Sequence, residues 1–330
     1  MPLIEHAGGW LVEEGIAAHR AIRLVGGEAI EARLQWLDFL SAESVTSARL
    51  IARTAGSARG TALADSGEEI LVDRLPPHIA EGEAIFVEVT RAAVHGPQRV
   101  KRAQGRVTTG TARVQSLAGS LRQSGNAVSL VRRLPGSWWD ELAGEALSGE
   151  IAFSGGELLL APTPAMVTVD VDGTLPPRAL ALAAAEAAAR ALPRLDLTGS
   201  VAIDFPTLPD KADRRAVDGV LDAALAGWPH ERTAMNGFGL VQIVSRSVRP
   251  SLLHLAQWRR HDFAWRELLR RAEALEGAGV IELTIHPALE RAADPAHLAE
   301  LERRAGRPVR LRRDTDLAPA APHAQLVSHG

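Results

Sequence analysis

The stretch Pro164-Ala-Met-Val-Thr-Val-Asp-Val-Asp-Gly-Thr-Leu decides the fold that the sequence predicts. Its valines alternate with more polar residues, of which Asp170 and Asp172 are the last. This period of two predicts a β-strand with one apolar face and one face that ends in carboxylates. A later apolar run, Ser200-Val-Ala-Ile-Asp-Phe, carries Asp204. Carboxylates at the ends of two strands indicate metal and phosphate chemistry.

The segment between these two runs predicts a crossover helix. Pro176-Pro177 begins it, Arg178–Leu192 is almost all Ala and Leu, and Pro193 ends it. A strand, a helix and a strand in this order make parallel neighbours whose carboxyl ends share one sheet edge. We therefore expect Asp170, Asp172 and Asp204 to converge and to hold Mg²⁺ or Mn²⁺. The structural alternative is that Asp172-Gly173 is only a turn pair and that Asp204 caps the following chain.

The N-terminal third predicts β-structure in short pieces. A hairpin is expected over residues 21–34, with Gly26-Gly27 as its turn. Four short runs between Ala48 and Arg91 then predict a small barrel of the oligonucleotide-binding type. Such barrels usually carry aromatic stacking residues, yet Phe86 is the only aromatic residue between Phe39 and Trp138.

The C-terminal part predicts a long helix and a small unit. Residues Pro250–Glu276 read as one amphipathic helix. Val280–Ile285, a helix over Ala296–Ala305, and Pro308–Leu311 form a βαβ-like unit. The alanine-rich tail after Leu317, broken by two prolines, is expected to be disordered.

Composition narrows the classes of protein. The chain has 330 residues, a net charge of -3 and no cysteine, so disulfides and thiolate metal sites are excluded. No apolar run reaches the roughly 18 residues of a membrane helix, and no secretory signal is evident, so we expect a cytoplasmic protein that does not bind membranes.

Basic residues are concentrated in one part of the chain. Asp and Glu are absent from Arg91 to Arg133, a span that holds nine basic residues. Such a block is typical of a phosphate-binding surface, although a chance excess of arginine in solvated loops would look the same. The candidate RNA-binding residues are Arg91, Arg99, Lys101, Arg102 and Arg106.

The sequence Asp170-Val-Asp-Gly-Thr also looks like the first motif of the haloacid-dehalogenase-type phosphatases. In that reading Asp170 is a nucleophile and Asp172 an acid/base. The family also needs a later lysine and a further strand-terminal acidic pair. Lys211 is the only later lysine and lies at a helix start, and no such acidic pair follows. This phosphatase is therefore the second enzyme hypothesis.

Several segments, which follow one another in the same order as in the family, resemble the ribonuclease E/G family. Phe153 to Asp172 is similar to that family's hairpin and catalytic strand, and Arg194 to Phe205 to its next strand. Phe238-Gly-Leu-Val-Gln-Ile and Arg249-Pro-Ser-Leu continue in the family's order, and Ile285 to Leu311 is similar to its small C-terminal domain. The resemblance covers most of the chain except about residues 105–148.

The resemblance implies a mixed α+β protein with five parts. They are N-terminal strands (1–40), an oligonucleotide-binding-type barrel (41–105), a reduced RNase H-like region (106–148), a DNase I-like catalytic domain (149–275) and a small C-terminal domain with a tail (276–330). It implies a Mg²⁺-dependent endoribonuclease, with Mn²⁺ as a substitute, that cleaves single-stranded RNA. Asp170 and Asp204 match the metal-binding aspartates, and Asp172 stands where the family usually has an asparagine that supports catalysis.

The chain differs from the family in the parts that, in the family, hold RNA and join two subunits. The zinc-link cysteines are absent, so no zinc is expected and a homodimer, if formed, would not be stapled by zinc. The stacking phenylalanines fall at about Leu63 and Val72, Gly237 replaces an arginine, and most of the 5′-sensor region is missing. These losses leave a further alternative, an RNA-binding protein of the same family without cleavage activity.

Overall fold

The computed structural model describes residues 8–328 and has a mixed α+β architecture, as the sequence predicts. The first seven residues of the predicted N-terminal part and the last two of the predicted tail lie outside the described residues. No helix within residues 8–328 is both long and apolar enough to cross a membrane.

The N-terminal strands form a four-stranded sheet with a strand from far along the chain. They are β1 (Trp10–Glu14), β2 (Ala18–Val25) and β3 (Glu28–Trp36). The predicted hairpin is confirmed, because β2 and β3 pair antiparallel across Gly26 and Gly27, which have φ angles of 59° and 83°. β11 (Val128–Val131) pairs parallel to β1 and completes the order β11-β1-β2-β3.

The predicted barrel is also confirmed as a closed barrel of five strands. The chain runs through β4 (Val45–Arg53), β5 (Arg59–Ala64), β6 (Glu69–Asp73), β7 (Ala84–Arg91), β8 (Val94–His95), β9 (Val100–Lys101) and β10 (Ala103–Thr108). The barrel order is β10-β6-β5-β4-β7, and its β6–β10 contact is parallel. Gly105 lies at a bulge in β10, where an added Cβ would lie 2.4 Å from Val87. Glycine is required there because the barrel strands approach so closely.

The segment after the barrel supplies α1 (Leu117–Gln123), β11 (Val128–Val131) and α2 (Trp138–Ser148). α1 packs on β1 and β2 through Leu117 and Leu121. Trp139 of α2 is buried in the main core, and Trp138 packs against the same core.

A six-stranded sheet forms the centre of the molecule. Its elements are β12 (Glu150–Phe153), β13 (Gly156–Pro162), β14 (Val167–Gly173), α3 (Pro177–Arg194), β15 (Gly199–Asp204), α4 (Lys211–Ala224), β16 (Glu231–Arg232) and β17 (Leu240–Ser245). The strand order is β12-β13-β14-β15-β17-β16, and within this sheet only β14 and β15 are parallel. α3 connects these two, so the predicted strand–helix–strand unit is confirmed. The valines of β14 and Ile203 of β15 pack against the helices on one face of the sheet.

The C-terminal part differs from the prediction in two places. It comprises α5 (Leu252–Trp258), α6 (Arg260–Glu273), β18 (Val280–Ile285), a 3₁₀ helix (Pro287–Ala292), α7 (Pro295–Ala305), β19 (Val309–Arg313) and β20 (His323–Val327). The single helix predicted over Pro250–Glu276 is wrong, because Arg259 leaves the helical conformation (φ -122°, ψ 45°) and separates α5 from α6. Its guanidinium lies over the rings of Phe39 and Trp36, which favours the break.

The disordered tail is the second wrong prediction. Residues His323–Val327 form β20, which pairs antiparallel with β18, while β19 pairs parallel on the other side. Ala324 and Leu326 pack against the core of the C-terminal unit. The main-chain hydrogen bonds and this apolar contact order the segment despite its composition.

A buried ion cluster joins the N-terminal sheet, α2 and α6. The Arg20 guanidinium is fully buried and donates to Oε1 of Glu267 from Nε and Nη2, at 3.1 and 2.9 Å. The Trp139 indole N–H donates to the same oxygen at 3.1 Å, and Arg270 donates to the other at 2.9 Å. Glu13 lies 3.6 Å from Arg20. We name these five residues the buried ion cluster.

Candidate functional site on the open sheet face

The face of the six-stranded sheet opposite α3 and α4 carries the predicted catalytic residues. Strand register places five residues in one row across it, in the order Glu150, Leu159, Asp170, Asp204 and Leu240. Four of the five are exposed and Leu159 is half-buried. We name this surface the open face.

Asp170 and Asp204 are direct register partners on the two parallel strands. Paired positions on adjacent strands project to the same face and lie about 4.8 Å apart in the backbone. The parallel crossover therefore brings these two carboxylates together as the sequence predicts. They lie side by side on the open face: Asp204 is the last residue of β15, and Asp170 is in the middle of β14.

Asp172 lies on the same face but one row further along β14. Its register partner is Glu157 of β13, not a residue of β15, which ends at Asp204. Its Oδ1 accepts a hydrogen bond of 2.7 Å from the N–H of Gly173. Asp172 is thus adjacent to the aspartate pair along the strand, and an exposed glutamate is its neighbour across the hairpin.

The open-face aspartates are free of basic partners. None of the ion pairs found among residues 8–328 involves Asp170, Asp172 or Asp204. The only side-chain hydrogen bond found for Asp170 comes from the N–H of Val171, at 3.1 Å. Unpaired carboxylates that share a surface are costly for the folded chain and suited to a cation.

A cluster of three ligands is not formed. Within the described part of the chain, no group of three His, Asp or Glu side chains lies close enough together to hold a metal ion. The donors that fit a hard divalent cation are therefore the two carboxylates of Asp170 and Asp204. Mg²⁺ in proteins is commonly held by one or two carboxylates, with water and substrate phosphate completing its shell.

Two features of this region were not predicted as functional. Glu157 adds a carboxylate beside Asp172, a pairing that depends on the register of the hairpin. Phe238 is 83% exposed on the turn that leads into β17, next to the end of β15. The sequence signal for the latter is an aromatic residue between two glycines, Gly237 and Gly239.

Basic side chains lie at the edge where β14 and β15 end. α3 and α4 both begin there, and Arg178 in the first turn of α3 donates to Asp213 of α4 at 2.7 Å. Lys211, the first residue of α4, is exposed. Asp213 and Asp210, the N-cap of α4, offset these two cations, so the amino ends of the helices carry charges of both signs at this edge.

The five predicted RNA-binding residues divide into two sets. Arg102 and Arg106 are exposed on the barrel but are paired with its own acids, Glu69 and Glu88, each at 2.9 Å. The other three, Arg91, Arg99 and Lys101, lie near one another. Burial lowers the pKa of Lys101, and the nearby positive charges of Arg99 and Arg91 lower it further. Arg91 donates to the carbonyl of Arg102 at 3.0 Å.

The remainder of the basic block does not extend this surface. Arg133 donates to the carbonyl of Ala274 at 2.6 Å, at the junction with the C-terminal unit. Arg132 lines a surface cavity there with Arg303, Arg304 and Arg307. The uniformly basic stretch of sequence is therefore distributed over separate surfaces.

The outer face of the barrel holds one of the two expected stacking positions. Leu63 is 40% exposed, whereas Val72 is buried in the barrel core and cannot contact a ligand outside it. Phe86, also on the outer face, is 39% exposed.

A small cavity lies away from the open face, between β3, the barrel and α5. It has a volume of about 70 Å³, and Trp36, Phe39, His95 and His254 are among its lining residues. Small-molecule sites are typically about 300–1,000 Å³. We therefore assign this cavity no ligand.

No model of a known protein family matches the chain, and a search of curated proteins also returns no match.

Proposed function

We propose that this protein is a reduced endoribonuclease of the ribonuclease E/G type, which cleaves single-stranded RNA with Mg²⁺. The observation that carries the proposal is the register pairing of Asp170 and Asp204 on the open face, where neither has a basic partner. An exposed sheet face gives an extended polymer access to the pair, as a nuclease requires.

Asp170 and Asp204 would hold the metal ion through their carboxylate oxygens. The bound ion would lower the pKa of a water molecule and offset charge on the phosphate. Asp172 would assist from the neighbouring row, where its fixed Oδ1 leaves the other oxygen to orient a water molecule. Lys211, which is exposed at the same sheet edge, is placed to attract the RNA backbone, whereas Arg178 is already paired with Asp213.

The barrel supports single-stranded RNA as the substrate. Numbered along the chain, its strands are arranged 1-2-3-5-4 and close on strand 1, with strands 3 and 5 parallel. A five-stranded Greek-key barrel of this kind is typical of oligonucleotide-binding domains. Arg91, Arg99 and Lys101 emerge from its last loop and would contact backbone phosphates.

The test is cleavage of a short, unstructured, end-labelled RNA by the full chain with Mg²⁺. Asp170→Asn and Asp204→Asn should each lower the cleavage rate about 100-fold or more, because loss even of residues that support metal ligands costs about 10–100-fold. The matched control is Glu150→Gln, which removes an equal charge from the same row but two strands from Asp170. It should cleave within about twofold of wild type. Wild-type rates in both aspartate variants would refute the assignment.

A binding protein without cleavage activity is the second candidate. It is favoured by the lack of a third clustered ligand in the part of the chain that the structure describes. Tight, salt-sensitive RNA binding with no Mg²⁺-dependent turnover would identify it.

The geometry supports the phosphatase alternative less well than the endoribonuclease. Asp170 lies in the middle of β14, and that strand has only one parallel neighbour, whereas the motif is expected at the end of a strand. Hydrolysis of small phosphate esters with an aspartyl-phosphate trapped at Asp170 would establish it.

A further inference from the structure

We propose that Phe238 is a stacking platform for a nucleobase of the RNA, next to the phosphate that is cleaved, an inference that rests on the proposed function. The ring would bind any base through its π face. It would position the chain on the open face without reading its sequence.

The first observation is the exposure of the ring. All six phenylalanines and seven tryptophans lie within residues 8–328. Phe238 is 83% exposed, while Phe86, the next most exposed aromatic residue, is 39% exposed and every other one is buried or half-buried. The burial of aromatic side chains is strongly favourable, so one that is left in water next to a candidate site is suited to a ligand.

The second observation is the rigidity of the turn that presents the ring. Oδ1 of Asn236 accepts hydrogen bonds from the N–H groups of Phe238 and Leu240, at 2.9 and 3.1 Å. Gly239 has a φ angle of 94°, and an added Cβ would lie 2.2 Å from the carbonyl oxygen of Phe205. Only glycine permits this close approach, which fixes the Phe238 backbone before a ligand arrives.

The third observation is the position of the turn. The N–H of Phe205, the residue after Asp204, donates to the carbonyl of Gly239 at 3.1 Å. Leu240 is the register partner of Asp204 in the row that holds the aspartate pair. Phe238 therefore lies on the turn two residues before this row, beside the end of β15, and a base stacked on its ring would belong to a nucleotide close to the metal site.

The charge of the open face favours RNA with a divalent cation over a second copy of the chain as the ligand of this surface. Six acidic residues lie on this face: Glu150, Glu157, Asp170, Asp172, Asp204 and Glu231. In a twofold contact these would face their own copies, and like charges across an interface are costly. RNA meets the same repulsion unless a divalent cation bridges its phosphates, so stacking on Phe238 should depend on Mg²⁺.

The experiment uses RNA that carries a single 2-aminopurine, whose fluorescence falls when the base stacks. With Mg²⁺, full-length wild-type protein should quench it, and quenching should be lost with a chelator or in Phe238→Ala. Phe238→Trp should restore it and Phe238→Leu should not, because leucine keeps apolar area but has no π face. The control Val244→Ala removes an exposed apolar side chain from β17, the strand that follows the Phe238 turn, and should quench as wild type does.

Cleavage kinetics provide the second readout. Phe238→Ala should raise KM about tenfold, within the roughly 5- to 150-fold expected for one stacked base, and should change kcat less than about threefold. Unchanged quenching and KM in Phe238→Ala, with cleavage still dependent on Asp170, would overturn this inference and leave the proposed function standing. Phe238-dependent quenching by a wild-type protein that does not cleave RNA would support the platform and contradict the endonuclease. A dimer that dissociates in Phe238→Ala would show a protein interface and overturn the inference.

Discussion

The buried ion cluster and the open face use charged side chains in opposite ways. In the cluster, the fully buried Arg20 and the largely buried Glu267 are held by several hydrogen bonds and a neighbouring acid. On the open face, Asp170 and Asp204 stand in register in water with no cation beside them. The first arrangement joins three parts of the fold, whereas the second leaves an unbalanced negative surface.

The two regions differ in whether their charges are balanced within the chain. Burial alone would raise the pKa of Glu267, but Arg20, Arg270 and the Trp139 N–H outweigh it and hold that pKa below its usual range. The cluster is complete within the chain. The open-face aspartates have no such internal compensation, and under the proposed function a divalent cation with an RNA phosphate would balance their charge.

The largest effect should come from the buried side of this comparison. Glu267→Gln keeps the shape of the side chain but leaves Arg20 as a buried, under-compensated charge, so it should lower the free energy of unfolding by about 3 kcal/mol. The control is Asp204→Asn on the open face, which should not lower that free energy, because it removes a charge that has no partner within the described residues. Urea denaturation measures both. A similar loss in the two variants would contradict the contrast.

A second buried group should make stability depend on pH. Burial, together with the smaller effect of nearby Lys101, lowers the pKa of His254 from 6.5 to about 4. The unfolded chain therefore binds a proton that the folded chain excludes, so stability present above pH 6.5 is lost as the pH falls toward 4. At about 1.4 kcal/mol per pH unit, the loss from 6.5 to 5 is about 2 kcal/mol.

His254→Leu should remove this pH dependence. The measurement is urea denaturation of wild type and variant at pH 7.5 and 5, with the two differences compared. His19, His95 and His297, whose pKa values burial also lowers, are present in both proteins and cancel. Equal pH dependence in the two proteins would show that His254 is not the group responsible.

The smallest effect is expected in the salt dependence of RNA binding, where basic residues that pair with acids should contribute less than those that do not. Replacing both Arg99 and Lys101 by Gln should reduce the log–log salt slope by about 1.4, from two contacts of about 0.7 each. Replacing both Arg102 and Arg106 should reduce it by less than half as much, since Glu69 and Glu88 already neutralise them. Fluorescence anisotropy over a series of salt concentrations gives the slopes. The reverse order would show that the barrel face binds RNA despite its ion pairs.

The sequence predicted the features that depend on local patterns. Alternating valines defined β14, and the proline-initiated helix after it made β15 a parallel neighbour, which was enough to place Asp170 beside Asp204. Short strands separated by turns were enough to predict a barrel. The order of the barrel strands, however, depends on pairings between distant segments.

Features set by long-range contacts could not be predicted. The break at Arg259 has no proline or glycine to announce it and is associated with aromatic rings more than 200 residues earlier in the chain. β20 is ordered by β18, not by its own composition. The basic block is contiguous in sequence, but Arg106 and Arg133 pair with acids of different parts of the fold.

Binding of Mn²⁺, followed by electron paramagnetic resonance, tests the central claim most directly. We expect one bound ion per chain in wild type and in Glu150→Gln. Asp170→Asn and Asp204→Asn should each weaken that binding at least about tenfold, because each removes one of the two carboxylates that hold the ion. Equal affinity in all four proteins, or no bound ion in wild type, would contradict the assignment of this aspartate pair as a metal site.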